Sequence, residues 1–149
     1  LELTLFNYIF IMQAYKVKAK RLAGSDFHDV RKRAFSIYEQ IRRKSKRRPY
    51  VRSVYFNKEK VFLNLFWEHL FTKENWRDRT RRLKYLPVAI ELIKKTRFSP
   101  ISKENPNRKD EIVHRFAGIT GDGFLFFVQI KENKRKGQKW LISFFPEDG

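Results

Sequence analysis

The sequence predicts an α+β fold in which N-terminal helices pack on a C-terminal twisted antiparallel β-sheet. Three observations carry that expectation. Apolar residues recur at helical spacing from Phe27 to Ile41. From residue 111 onward the period switches to two, in IVHRFAGI, FLFFVQIK and KWLISFF. Between these regions, KVFLNLFWEHLF and LPVAIELIKKT are apolar enough to need burial. With 149 residues, fifteen Phe, six Tyr and three Trp, the chain can build one core, burying about two-thirds of its unfolded surface.

Taken in order, LELTLFNYIFIM has no basic residues before its apolar run and is too short to span a bilayer, so no membrane association is expected. Residues 1–11 read as a non-native leader, with the native chain starting at Met12, its sole methionine. Residues 12–149 read as a single domain whose first part, 12–49, is a basic helical extension. AYKVKAK, 14–20, fits a short strand or a helix end. A helix is expected over about 26–45, capped by Ser25. Asp26 and Asp29 suit the positive end of its dipole, and Arg42, Arg43 and Lys44 suit the negative end. Pro49 prevents continuation.

YVRSVYF, 50–56, reads as a strand, and Asn57 as the cap of a helix running through KVFLNLFWEHLF. NWRDRTRRLKY, 75–85, is a polar, Arg-rich segment. The next helix has Pro87 in its first turn and Ile90, Leu92 and Ile93 inward. Residues 97–110 read as loop, with two prolines and no periodicity. In the terminal sheet, a two-residue turn within TGDG sets the register. It groups Val113, Arg115, Ala117 and Ile119 with Phe124, Phe126, Val128 and Ile130 on the face toward the helices. His114, Phe116, Gln129, Lys131 and Ser143 fall on the opposite, open face.

The net charge is +18, with +10 in residues 16–48, +4 in 73–84 and +4 in 131–139; the rest is neutral. Three separate basic excesses on a balanced chain point to a polyanion, and RNA is the expected partner. The expected phosphate contacts are Arg31, Lys32, Arg42, Arg43, Lys46, Arg47, Arg48, Arg79, Arg82, Lys134, Arg135 and Lys136. The absence of Cys excludes disulfides, thiolate zinc sites and a Cys nucleophile, and fits a reducing, cytoplasmic compartment. His28, His69 and His114 are far apart, and HExxH, GxxxxGK[ST] and GxGxxG are missing, so neither metal nor cofactor is expected.

A histidine, a cation and a hydroxyl on one open sheet face suit phosphodiester chemistry. RNA cleavage by 2′-OH attack needs a base, an acid for the leaving 5′-oxygen, and cations on the phosphate. His114 and His69, in FWEHLF, are the candidate acid and base. The alternative is a non-catalytic RNA- or DNA-binding module that stacks bases on Phe116 and Phe127. A third reading is a structural protein bound to ribosomal RNA.

The order WEHL, RRLKYLPVAIELI, HRFAGITGDGFLFFVQIKE and KWLISFFP over about residues 50–146 resembles the barnase–EndoU–colicin–RelE-like group of metal-independent ribonucleases, in its phage-associated and toxin branches. The resemblance implies endoribonuclease activity and, for a toxin, an antitoxin or inhibitor protein as partner. It implies catalytic roles for His69, for Arg115 or His114, for Lys131 and for Ser143. Thr72, Lys73 and Glu74 depart from the group's HxxxxH-like run after the first histidine.

Overall fold

The structure, a computed structural model, describes residues 13–70 and 75–147. The leader reading falls on residues outside that range. Among the described residues the elements run β1 (Tyr15–Lys16), α1 (Phe27–Lys44), β2 (Tyr50–Ser53), β3 (Glu59–Phe62), α2 (Asn64–Leu70), α3 (Trp76–Leu83), α4 (Leu86–Lys95), β4 (Ile101–Asn105), β5 (Arg108–Ile119), β6 (Leu125–Asn133) and β7 (Lys139–Pro146).

The strands form one seven-stranded sheet in the order β1-β5-β6-β7-β3-β2, with β4 also paired to β5. This corrects the expected architecture. The sheet is mixed, with β1 parallel to β5 and β3 parallel to β7, and three of its strands come from the N-terminal half. The helices lie among and between strands rather than ahead of them. Strands of two to four residues carry too little alternation to announce themselves, and their partners are distant in sequence.

Two further elements differ from expectation. KVF continues β3 instead of opening a helix, because Asn57 and Lys58 both take left-handed φ angles, of 56° and 65°, and turn β2 back into β3. The helix starts only at Asn64. Ile101–Asn105 is a strand, not loop; it pairs on one side only and exposes its polar residues, so no apolar period marks it. The Arg-rich segment is helical as α3, where Asn75 caps by accepting from Arg77 N (2.9 Å) and Asp78 N (3.3 Å). On α1 the cap is Asp26, accepting from Asp29 N, instead of Ser25.

The core lies between the helices and one sheet face. Val30, Ala34 and Tyr38 of α1 and Leu86, Val88, Ala89, Leu92 and Ile93 of α4 meet Val61, Phe126, Val128, Ile130, Leu141 and Phe144. Full burial of each large apolar side chain is worth about 1.5–3 kcal/mol, so this layer holds the sheet against α1 and α4. Among the described residues the opposite sheet face carries a small buried cluster around Ala117 and Phe127.

The β5–β6 register decides which side chains reach that second face. Ile119 pairs with Leu125 and Arg115 with Gln129, because the hairpin loop has three residues, Gly121 to Gly123. Gly123 N–H donates to Thr120 O (2.9 Å), and Gly123 itself has φ +92°. A turn followed by a left-handed glycine adds one residue to a two-residue loop, and a one-residue slip flips every side chain to the other face. The expected face assignment for β5 is therefore reversed: His114 and Phe116 point to the core, and Arg115 points out.

Candidate functional site

The open face is organised in rows across the strands. One row runs Ser143 (β7), Gln129 (β6), Arg115 (β5) and Ile101 (β4). Ser143 owes its place to a bulge. The register shifts by one between Gln129 and Ile130, leaving Ile142 as the extra residue on β7. Leu141 then faces the core while Ser143 faces Gln129, so the regular alternation expected for KWLISFF breaks there. Bulges commonly re-aim a side chain in this way beside functional sites.

The Gln129 amide joins the row. With its oxygen turned toward Arg115, it accepts from Nη2 at 2.7 Å and Nε at 3.1 Å, and its nitrogen donates to Ser143 Oγ at 3.1 Å. The Arg115 guanidinium is further held over the rings of Phe127 (5.9 Å) and Phe145 (5.5 Å). Arg82, at the end of α3, lies over the same Phe145 ring at 5.7 Å and pairs with Asp78 at 2.9 Å. Two guanidiniums are thus placed around one phenylalanine.

A cleft of about 320 Å³ opens here, lined by Phe66, His69, Leu70, Arg82, Arg115, Gln129, Ser143 and Phe145 among others. It forms because β3 pairs with β7 only at Val61 and Phe62, which leaves the later half of β7, among the described residues, without a strand on its β3 side. α2 fills that edge, with Phe66 against Phe144 at 4.9 Å, and brings His69 to the rim. The cleft therefore brings His69, Arg115 and Ser143 together from α2, β5 and β7.

Lys131 lies on the same face, one row away, 4.0 Å from Glu111 and over the Trp140 ring at 5.5 Å. His114 does not join the site. It is 8 % exposed, on the core face, and both ring nitrogens are engaged. Nδ1 is 2.6 Å from Ser102 Oγ and Nε2 is 2.7 Å from Glu132 Oε1. Glu132 lies 3.6 Å from Lys139 Nζ, which donates to Glu59 Oε1 at 2.6 Å. That chain of contacts crosses five neighbouring strands, β4, β5, β6, β7 and β3. A buried charge such as Lys139 survives only with partners of this kind. His114 is a structural tie, and its place on the open face is corrected along with the register.

The expected phosphate contacts are dispersed. Lys46, Arg47 and Arg48, with Lys44 and Lys60, line a second cleft of about 590 Å³ beside Tyr50 and Phe62. Arg31, Lys32, Arg43, Arg135 and Lys136 are exposed, and Arg79 is half-buried on α3. Arg42 is held by Glu39 through two 2.8 Å hydrogen bonds, and Lys134 is paired with Glu104. Phe116 and Phe127 are 4 % and 6 % exposed, so neither offers a face to a base. Sequence reasoning placed Gln129 on the open face and Arg82 among the phosphate contacts but gave neither a part beside Arg115; the pairing of Gln129 with Arg115 is legible only with the three-residue loop.

Among the described residues no group of three or more His, Asp or Glu is placed to hold a metal ion, and no helix is long and apolar enough to cross a membrane. Comparison with protein-family models, curated proteins and solved structures finds no match to this chain.

Proposed function

We propose that the protein is an endoribonuclease that cleaves RNA by 2′-OH attack without a metal, in the manner of the ribonuclease group its sequence resembles. The observation that supports this most is the convergence of His69, Arg115 and Ser143 on one cleft from three elements far apart in the chain. His69 takes the proton from the 2′-hydroxyl. The 2′-oxygen bonds to phosphorus, the bond to the 5′-oxygen breaks, and water protonates the departing oxygen. Arg115 and Arg82 neutralise the charge that builds on the non-bridging oxygens, and Ser143 and Gln129 fix their positions. Lys131, one row away, contacts a neighbouring phosphate. A toxin of this kind is held in check by an antitoxin or inhibitor protein, which would occupy the same cationic face.

Incubation of total RNA in excess chelator, comparing wild type with His69→Ala, tests the proposal. Cleavage by the wild type and its loss in folded His69→Ala are expected; an inactive wild type leaves a nucleic-acid-binding module as the better reading.

A further inference from the structure

The second row of the open face is aromatic. Register pairs Tyr50 (β2) with Phe62 (β3), Phe62 with Trp140 (β7), and Trp140 with Lys131 (β6), so three rings stand side by side across neighbouring strands. All three are partly exposed, unlike the buried Phe116 and Phe127. Cations hover over every ring: Arg48 over Phe62 at 4.2 Å, Lys60 and Arg52 over Tyr50 at 4.7 and 5.5 Å, and Lys131 over Trp140 at 5.5 Å. The basic cleft of Lys44, Lys46, Arg47, Arg48 and Lys60 opens at one end of the row. None of these five has a carboxylate within 4 Å among the described residues. Beyond Trp140 the adjoining row leads to Ser143, Gln129 and Arg115.

We propose that this row is a stacking platform for an unpaired nucleic-acid strand, which enters at the Lys46–Arg48 cleft, stacks bases on Tyr50, Phe62 and Trp140, and runs toward Arg115. Charge selects the occupant: uncompensated cations interleaved with flat rings match a strand that offers phosphates and base faces alternately. A duplex hides its base faces and could use only the cations. The inference rests on the nucleic-acid half of the proposed function and not on cleavage.

The test uses a fluorescent 2′-O-methyl oligouridine decamer, which the proposed chemistry cannot cut, beside a ten-base-pair RNA duplex and anionic phosphatidylserine vesicles. The decamer should bind more tightly than the duplex. Phe62→Leu and Trp140→Leu should each weaken decamer binding roughly 5- to 150-fold with the salt slope unchanged. The double variant Arg48→Gln/Lys60→Gln should instead flatten that slope by about one to two units, and it decides the question if the aromatic variants fail to fold. Equal affinity for the duplex, folded aromatic variants that bind like wild type, an unaltered slope in the double variant, or vesicle binding without decamer binding would each overturn the platform. Because the decamer is uncleavable, a protein that binds it through these rings yet cuts no RNA refutes only the ribonuclease proposal.

Discussion

Arg115 and Gln129 face each other across β5 and β6, and the Gln129 amide oxygen receives two hydrogen bonds from the guanidinium, at 2.7 and 3.1 Å. A flexible cation on an open sheet face is thereby held in one orientation before any ligand arrives. Pre-set donors of this kind lose little freedom when charge develops on a phosphate, which is where their catalytic value lies.

Arg115→Ala should therefore lower the cleavage rate on the order of 10²-fold. Arg115→Lys should recover only part of it, because an ammonium cannot offer the planar paired donors that Gln129 orients. Single-turnover rates at saturating RNA, beside melting curves, separate this loss from unfolding. Wild-type turnover in folded Arg115→Ala would remove Arg115 from the chemistry.

His114→Ala should behave in the opposite way. It removes a buried ring together with its hydrogen bonds to Ser102 and Glu132, and such bonds contribute about 0.5–3 kcal/mol each. Chemical denaturation should show that loss, while cleavage per folded molecule stays at the wild-type level. A selective loss of rate without loss of stability would return His114 to the active site.

These two neighbours show what the sequence could convey. The alternation of IVHRFAGI was plain, as were α1 and α4, whose apolar spacing and Pro87 fit the elements found. Which half of the alternation faced outward depended on a single loop residue. Gly123, left-handed after the Gly121–Asp122 turn, adds that residue and exchanges His114 for Arg115. The bulge at Ile142 had no local mark at all, since KWLISFF alternates through it. Long-range pairing was the other hidden part. Tyr15–Lys16 becomes a strand only because Gly118 and Ile119 lie beside it, and Phe62 meets Trp140 across most of the chain.

The hairpin tip also predicts a pH effect. Burial disfavours the charge of Asp122, but hydrogen bonds from Thr120 and from the side chain and backbone of Arg21 outweigh it and lower its carboxyl to about 2. A depressed folded-state value stabilises above the unfolded value of about 3.8 and is lost as pH falls toward 2. The pair is exposed, so solvent screening reduces its worth to about 1 kcal/mol. Asp122→Asn should melt below wild type at pH 5–7, and the two curves should converge near pH 2. A constant gap across that range would show that the ion pair is not its cause.

Gly121 is set against the strap that precedes α1. Its N–H donates to Ala19 O at 2.7 Å, and a Cβ there would overlap the Lys18 carbonyl oxygen. Glu91 secures the same strap by accepting from Lys18 N (2.7 Å) and Ala19 N (3.0 Å). Gly121→Ala should destabilise by about 1–3 kcal/mol through forced displacement of the backbone. Equilibrium unfolding in urea checks it; an unchanged midpoint would mean that the strap yields freely.

The most direct test of the cleft's chemistry is the identity of the ends it leaves. A defined RNA containing one ribonucleotide in an otherwise 2′-O-methyl strand should be cut at that position alone, in excess chelator, leaving a 2′,3′-cyclic phosphate and a free 5′-hydroxyl. The same strand without the ribonucleotide should stay intact. Cutting of the fully methylated strand, dependence on added magnesium, or a 5′-phosphate product would contradict 2′-OH attack in the cleft of His69, Arg115 and Ser143.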